Sequence, residues 1–156
     1  LETVCLRYFN VYGPRQSYSE YSGVITIFMN QLLSNRPPTI FGDGEQTRDL
    51  VHVEDVATAS MLALSKKEAV GEVINIATGT ATSVNTIAQT LTKTSAKTTL
   101  TPSHGEPRLG EIKHSCASIE KAKKVLGYRP MFNIDQGLRQ LAKWYTSKEA
   151  DHHRKR

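Results

Sequence analysis

The sequence lacks the features that mark membrane, secreted and metal-binding proteins. No apolar run reaches the length of about 18 residues that a membrane-spanning helix needs, and these 156 residues contain no secretory signal pattern. The two cysteines, Cys5 and Cys116, form no CxxC pair, and His52, His104 and His114 lack metal-ligand spacing. We therefore expect free thiols, no metal, no membrane association and a location in the reducing cytoplasm.

Motifs for several kinds of enzyme are also missing. There is no nucleophile elbow and no paired-carboxylate site. Gly42-x-Gly44 is followed by Thr47 where a dinucleotide-binding fingerprint would have its third glycine. The sequence therefore predicts no catalytic residue and no recognisable cofactor cradle within this chain.

Positive charge is in modest excess. The formal net charge is +5, and part of it lies in residues 148–156, which we expect to be a solvated, disordered basic tail. A positive surface favours anionic ligands without selecting one of them. Nucleic-acid binding through this surface is the weakest alternative considered, and we expect no nucleic-acid partner.

The first residues have the composition of a strand. Residues 3–9 (TVCLRYF) are rich in β-branched and aromatic side chains. The chain starts at Leu1 instead of methionine and enters this run at once. We expect that it is part of a longer protein and that its first strand belongs to a sheet outside the chain.

Farther along, short apolar segments alternate with amphipathic helices, which indicates a mixed α/β fold. Predicted N-caps are Ser83, Ser118 and either Asn133 or Asp135, and Gly127 is a natural helix end. We predict strands at 3–9, 39–41, 50–53, 73–77 and 98–101, helices at 23–33 and 54–65 and after each cap, and a loop at 104–110.

The rest of the chain is organised around residues 38–57 (PTIFGDGEQTRDLVHVEDVA). An apolar segment ends in a turn at Gly42-Asp43-Gly44, and a second extended segment leads into a helix that opens with Glu54-Asp55. Arg48 lies between turn and strand. It is either the salt-bridged arginine of a surface hairpin or a phosphate-binding guanidinium.

Six motifs in order identify a family resemblance: LRYFNVYGPRQ (6–16), YSGVI (21–25), the stretch 38–57, NIATG (75–79), PRLGE (107–111) and LGYRP (126–130). Together they resemble the nucleotide-sugar epimerases and dehydratases of the extended short-chain dehydrogenase/reductase family, and UDP-glucose 4-epimerases most closely. The likeness runs from residue 1 to about residue 145.

The resemblance implies an α/β fragment of a Rossmann-type enzyme, with a small mixed α/β substrate-binding domain plus a leftover strand of the parallel sheet. Residues 1–16 would be the terminal strand and loop of a missing Rossmann domain, 17–147 mainly the substrate-binding domain, and 148–156 the tail. The intact enzyme would be an NAD-dependent homodimer. NAD would be held mainly by the missing half, because the family's Tyr-x-x-x-Lys pair is also absent here.

The resemblance also implies a UDP-sugar site, beginning with its diphosphate and ribose. Arg48 and Arg108 fall on positions that contact the diphosphate, and each has the alternative of being a solvated surface arginine. Glu111 suits the ribose hydroxyls, although the family more often has aspartate there. Asn10 suits phosphate or sugar oxygens, or else it forms an Asx turn before Gly13.

The remaining site residues would contact the base and the sugar. Val24 and Ile25 open a helix whose backbone could read the edge of the base. Phe41 could pack on the uracil face, and Phe9 could form the floor of the sugar pocket. Both phenylalanines have the alternative of being ordinary core residues.

The predicted function is the UDP-hexose-binding half of an NAD-dependent UDP-glucose/UDP-galactose 4-epimerase, not catalytic alone. A 4,6-dehydratase or a decarboxylase of the same family is the nearest alternative. A non-catalytic nucleotide-binding or interaction module is the alternative from another class.

Overall fold

Short strands alternate with amphipathic helices in the computed structural model, which describes residues 1–19 and 22–147. The elements are β1 (Cys5–Tyr8), β2 (Asn10–Tyr12), α1 (Val24–Leu33), β3 (Thr39–Phe41), β4 (Thr47–His52), α2 (Val53–Ser65), β5 (Val73–Ile76), β6 (Ala81–Ser83), α3 (Val84–Thr94), β7 (Ser103–Gly105), α4 (Glu120–Leu126) and α5 (Ile134–Thr146). The predicted α/β class is confirmed. The predicted tail at 148–156 and Tyr21 of the YSGVI motif lie outside the described residues.

β4 is the central strand of the fold. It pairs in parallel with β2 and in antiparallel with β6, while β1 pairs in parallel with β5 and β3 in parallel with β7. The hairpin suggested for residues 39–53 is therefore wrong. β3 has β7 as its partner, and both edges of β4 are occupied by other strands.

Two hydrophobic cores lie on opposite faces of β4. Successive strand residues point to opposite faces, so Leu50 enters one core and Val51 enters the other. The first core joins α1, α3 and α5 around Phe28, Met29, Leu32, Ile87, Leu91, Leu138 and Leu141. The second joins α2, α4 and β5 around Ala59, Ile74, Ile76, Ala122, Leu126 and Tyr128. The four residues 49–52 of β4 are all buried, which makes it the most enclosed strand of the described chain.

Three of the predicted helix ends are confirmed. The Ser83 hydroxyl accepts a hydrogen bond from the Thr86 amide at 3.2 Å and caps α3. Asn133 and Gln136 form a reciprocal capping box at α5. Gly127 ends α4 with φ of 70°, in the left-handed region that favours glycine.

The predictions of a cap at Ser118, a strand at 98–101 and a loop over all of 104–110 are wrong. Ser118 does not cap α4, which begins one residue later than expected, with Ile119 at its N-cap position and no side-chain cap. The strand predicted at 98–101 is a turn in which the Leu100 amide donates to the Lys97 carbonyl. A strand forms instead at β7, which overlaps the start of the predicted loop. The Ser103 amide donates to the Pro38 carbonyl at 2.9 Å, and β7 then pairs in parallel with β3.

No helix among the residues that the structure describes is both long enough and apolar enough to cross a membrane. Cys5 and Cys116 are both free thiols, as expected from their separation in the sequence.

Candidate functional site

A cavity of ≈ 230 Å³, here called the main cavity, opens between the start of α1, β3, β4 and residues 107–111, here called the strap. Seven of the eight predicted site residues line it, although they come from five separate parts of the sequence: Asn10, Val24, Ile25, Phe41, Arg48, Arg108 and Glu111. The structure therefore brings the predicted set together, apart from Phe9.

Part of the lining of the main cavity is apolar. Phe28, Ile40, Leu50 and Val84 line it beside the first turn of α1. Gly23 at the start of α1 provides no side-chain cap, and the first turn of this helix contains no acidic residue. The Thr26 and Ile27 amides donate to the Gly23 carbonyl, whereas the Val24 and Ile25 amides have no partner within the helix. The start of α1 therefore favours an acceptor such as a carbonyl or phosphate oxygen.

Arg48 lines the main cavity and is held by the strap and its neighbours. Its Nη1 donates to the Thr47 carbonyl at 2.8 Å and to the Ile112 carbonyl at 2.6 Å. Its Nη2 lies 3.2 Å from Oε1 of Glu111 in an ion pair. These bonds use part of the guanidinium, and the remaining N–H groups are available to a ligand in the cavity.

Glu111 is engaged on both of its carboxylate oxygens. Oε1 pairs with Arg48, and Oε2 accepts a hydrogen bond from Nε2 of Gln46 at 3.4 Å. Its carboxylate is therefore placed by β4 as well as by the strap.

Arg108 and Phe41 form the other charged contact of the site. The guanidinium carbon of Arg108 lies 4.0 Å from the centre of the Phe41 ring, a cation–π arrangement. Phe41 therefore contacts the strap and lines the cavity, and it does not belong to either hydrophobic core of the described chain.

Asn10 lines the cavity, and a hydrogen bond from its side chain to the backbone fixes its orientation. Its Nδ2 donates to the Asp49 carbonyl at 3.1 Å, across the β2–β4 pairing. Its side-chain oxygen has no hydrogen bond among the described residues and faces a site where a hydroxyl donor could bind.

Phe9 does not reach the main cavity. It packs against Ala77, Ala117 and Ile119 and is not among the residues that line the cavity. Its predicted contact with a sugar has no support in the cavity described here and stays a prediction.

Sequence reasoning missed two residues that hold the site together. Gln46 is buried and donates to both the Phe41 carbonyl and Glu111. Asp49 is fully buried, and its carboxylate accepts from the Thr78 amide and hydroxyl at 2.8 and 2.7 Å, the Gly79 amide at 2.9 Å and the Ala117 amide at 3.2 Å.

A signal for both residues is present in the sequence. Gln46, Arg48 and Leu50 alternate along one face of the strand and all line the cavity, while Asp49 and Val51 point to the opposite face. The strand predicted from the sequence starts at Leu50, so Gln46 and Arg48 lie outside it and their alternation with Leu50 is not recognised.

Two titratable side chains near the site have pKa values shifted by burial. Burial raises the pKa of Tyr12, which lines the cavity, and the nearby Asp55 carboxylate raises it further. Burial lowers the pKa of His52, partly opposed by Glu54 and Asp55. Tyr12 therefore stays protonated at neutral pH and is not suited to act as a base.

The described residues contain no metal-binding cluster, and the turns into α2 and α3 do not fit a dinucleotide. No group of three His, Cys, Asp or Glu side chains within these ranges could hold a metal ion. α2 and α3 follow β4 and β6 directly, and the side chains of His52 and Ser83 cap them. A pyrophosphate bound at a strand-to-helix turn needs a glycine-rich loop and free amides, so NAD does not fit these turns.

Known proteins similar to this chain share one family. The model of the NAD-dependent epimerase/dehydratase family matches residues 1–77. A putative UDP-glucose 4-epimerase from Methanocaldococcus jannaschii is 40% identical over 144 residues, covering 92% of this chain and 46% of the relative. The chain belongs to the NAD-dependent epimerase/dehydratase family. The resemblance found in the sequence motifs is thereby confirmed.

Other members of the epimerase/dehydratase family extend the comparison. A UDP-N-acetyl-alpha-D-glucosaminuronate decarboxylase from Bacillus cytotoxicus is 33% identical, with 97% of this chain and 48% of the relative covered. The crystal structure of a UDP-glucose 4-epimerase with UDP-glucose from Thermotoga maritima superposes with a TM-score of 0.84 at 39% identity, covering 93% of this chain and 46% of that one.

This family member spans about half the length of the curated relatives that it matches. Its relatives carry different activities, since one is named as an epimerase and another as a decarboxylase.

Proposed function

We propose that this chain binds the nucleotide-sugar in an NAD-dependent UDP-glucose/UDP-galactose 4-epimerase. The observation that carries the proposal is one cavity whose lining combines apolar side chains, a helix start without a side-chain cap and two arginines, Arg48 and Arg108. A UDP-sugar has a flat base, a ribose and a diphosphate, so both the apolar and the positively charged lining residues have a suitable part of the ligand to contact.

Each predicted contact has a suitable group at the cavity wall. Arg48 and Arg108 would hold the diphosphate, since charge-assisted guanidinium–phosphate bonds are among the strongest in proteins. Phe41 and the backbone at Val24 and Ile25 would contact the base, and Asn10 would accept from a sugar hydroxyl. Anchoring at the diphosphate would keep the nucleotide fixed while the hexose beyond it stays free to turn.

The remaining features of the intact enzyme are also proposals. NAD would be held mainly by residues outside this chain, because the turns into α2 and α3 do not fit its pyrophosphate. The homodimer, the cytoplasmic location and the division at residues 16 and 17 stay predictions. A 4,6-dehydratase or a decarboxylase remains the alternative of the same family, and a decarboxylase is among the similar proteins.

The experiment is a calorimetric titration of the 156-residue chain with UDP, uridine and NAD, with folding checked by circular dichroism. UDP is expected to bind, and uridine to bind at least about tenfold more weakly because it lacks the diphosphate. NAD is expected to give no binding heat, and the chain is expected not to convert UDP-glucose when NAD is added.

A folded chain that gives no heat with UDP would overturn the proposal and favour the non-catalytic interaction module. Equal affinities for UDP and uridine would show that Arg48 and Arg108 do not bind the diphosphate. The product made from UDP-glucose by the intact enzyme separates an epimerase from a dehydratase, because only the dehydratase eliminates water.

A further inference from the structure

The ion pair between Arg48 and Glu111 lies in the wall of the main cavity. The two side chains are only 18% and 27% exposed, and Nη2 of Arg48 lies 3.2 Å from Oε1 of Glu111. The Glu111 carboxylate therefore occupies part of the guanidinium that an incoming anion would need. Any phosphate that binds Arg48 must displace Glu111 or lie beside its negative charge.

Glu111 also stands in a wall between two cavities. A second cavity of ≈ 320 Å³ lies on the other side of the strap, lined by Lys113 and His114 among others. Phe41, Gln46, Arg108 and Glu111 line both cavities. The main cavity alone, at ≈ 230 Å³, is smaller than the roughly 300–1,000 Å³ of typical ligand pockets.

We propose that Glu111 is a specificity-determining residue that keeps bare anions away from Arg48. This inference rests on the proposed function and adds the rule by which the site selects its ligand. An anion binds Arg48 without repulsion from Glu111 only when the same molecule supplies hydroxyl donors to that carboxylate.

The reason is the chemistry of a partly enclosed carboxylate. An ionised Glu111 accepts hydrogen bonds and donates none, and after leaving Arg48 it would keep only Gln46 as a donor among the described residues. A half-buried charge without partners is costly. The ribose of a nucleoside diphosphate provides two adjacent hydroxyl donors next to its phosphates, whereas inorganic pyrophosphate adds negative charge and provides no comparable donors.

The experiment compares sodium pyrophosphate with UDP on the wild-type chain and on Glu111→Gln. The amide keeps the shape of the side chain and removes its charge. The ratio of UDP affinity to pyrophosphate affinity is expected to fall at least about tenfold in Glu111→Gln, mainly through tighter pyrophosphate binding.

Two variants serve as controls. Glu106→Gln removes the same charge from an exposed residue just before the strap, which does not line either cavity, and should leave the ratio unchanged. Arg48→Ala combined with Glu111→Gln should lose the gain in pyrophosphate affinity, because the gain requires Arg48.

A second measurement needs no variant. UDP and its 2′,3′-dideoxy analogue are titrated against the wild-type chain, and the analogue is expected to bind about tenfold more weakly because it lacks both donors to Glu111. Equal binding of the two nucleotides would overturn the inference even if Glu111→Gln did not fold.

The outcomes separate the inference from the proposed function. UDP binding to the wild-type chain with an unchanged ratio in folded Glu111→Gln overturns the inference and leaves the proposed function in place. No UDP binding to the wild-type chain overturns the proposed function. In that case, tighter pyrophosphate binding by Glu111→Gln that disappears when Arg48→Ala is added still supports the exclusion of bare anions. If Glu111→Gln binds pyrophosphate no more tightly than the wild type, the inference is overturned.

Discussion

Arg108 lies over the face of Phe41, with its guanidinium carbon 4.0 Å from the centre of the ring, and its guanidinium makes no hydrogen bond or ion pair among the described residues. Arg48, by contrast, is tied by three hydrogen bonds to Thr47, Glu111 and Ile112. The two arginines face one cavity, but only Arg48 also links β4 to the strap. Their removal should therefore have different consequences.

Arg108→Ala is expected to lower the affinity for UDP about tenfold or more with little change in stability. Arg48→Ala should lower the affinity similarly and also reduce the free energy of unfolding by about 1.5–3 kcal/mol, because it removes hydrogen bonds from a charged donor. Arg48→Lys should recover only part of the affinity, since an ammonium lacks the planar fork. Calorimetry and urea denaturation measure the two effects.

Arg129→Ala is the matched control, because Arg129 is exposed and lines no part of the main cavity. It should change neither affinity nor stability. UDP affinities that stay the same in folded Arg48→Ala and Arg108→Ala would contradict the diphosphate site.

Asp49→Asn is expected to destabilise the fold by about 2–4 kcal/mol. The buried carboxylate accepts from the Thr78, Gly79 and Ala117 amides and from the Thr78 hydroxyl, so an amide NH₂ at this place would face donors. Urea denaturation of the variant measures the loss.

Asp135→Asn is the control of the same chemical type. Asp135 forms an exposed ion pair with Arg139 on the surface of α5, and such pairs contribute less than about 1 kcal/mol. Similar losses in both variants would show that Asp49 does not have the structural role described here.

The sequence predicted the parts of the fold that depend on local chemistry. Ser83, Asn133 and Gly127 act within one helical turn, and each ends or begins a helix as predicted. The seven cavity residues were predicted because their motifs are those of a known family, and no local rule would have joined Asn10 to Glu111.

The errors concern pairing between distant parts of the chain. β2, β6 and β7 have three residues each and form only because β4 or β3 lies beside them, so no local pattern marks them. The Arg48–Glu111 ion pair joins residues 63 positions apart, and its geometry depends on the path of the strap. Such contacts follow from tertiary packing and not from sequence spacing.

Gly137→Ala is expected to destabilise the fold, although alanine is normally about 1 kcal/mol better than glycine inside a helix. A methyl group at this buried position of α5 would collide with the Tyr12 hydroxyl oxygen and lie 2.8 Å from ring carbon Cζ. Tyr12 is only 3% exposed and cannot move away freely. Overpacking of this kind costs about 1–3 kcal/mol.

The double variant Tyr12→Phe/Gly137→Ala tests the collision. Removal of the hydroxyl should recover part of the loss, so the two changes should not be additive in urea denaturation. Additive losses, or a Gly137→Ala protein more stable than the wild type, would show that the helix accommodates the methyl group.

His52 is expected to make stability depend on pH between about 7 and 5. It is 1% exposed, its Nδ1 accepts from the Glu54 amide at 3.3 Å to cap α2, and its Nε2 has no partner among the described residues. Burial lowers its pKa below the usual 6.5, so the unfolded chain binds a proton first as the pH falls. The contribution is fully present above about pH 6.5 and decreases below it, by at most about 1.4 kcal/mol per pH unit.

His52→Asn tests the origin of this slope. Asparagine can still cap the helix but does not titrate. The variant should lose the stacking on Phe132, whose ring lies 4.2 Å away, and be less stable at pH 7, yet its free energy of unfolding should vary less between pH 7 and 5. The wild-type chain measured under the same conditions gives the reference slope. If His52→Asn keeps that slope as well, the pH dependence arises from other groups, because a residue that cannot bind the proton cannot produce the linkage.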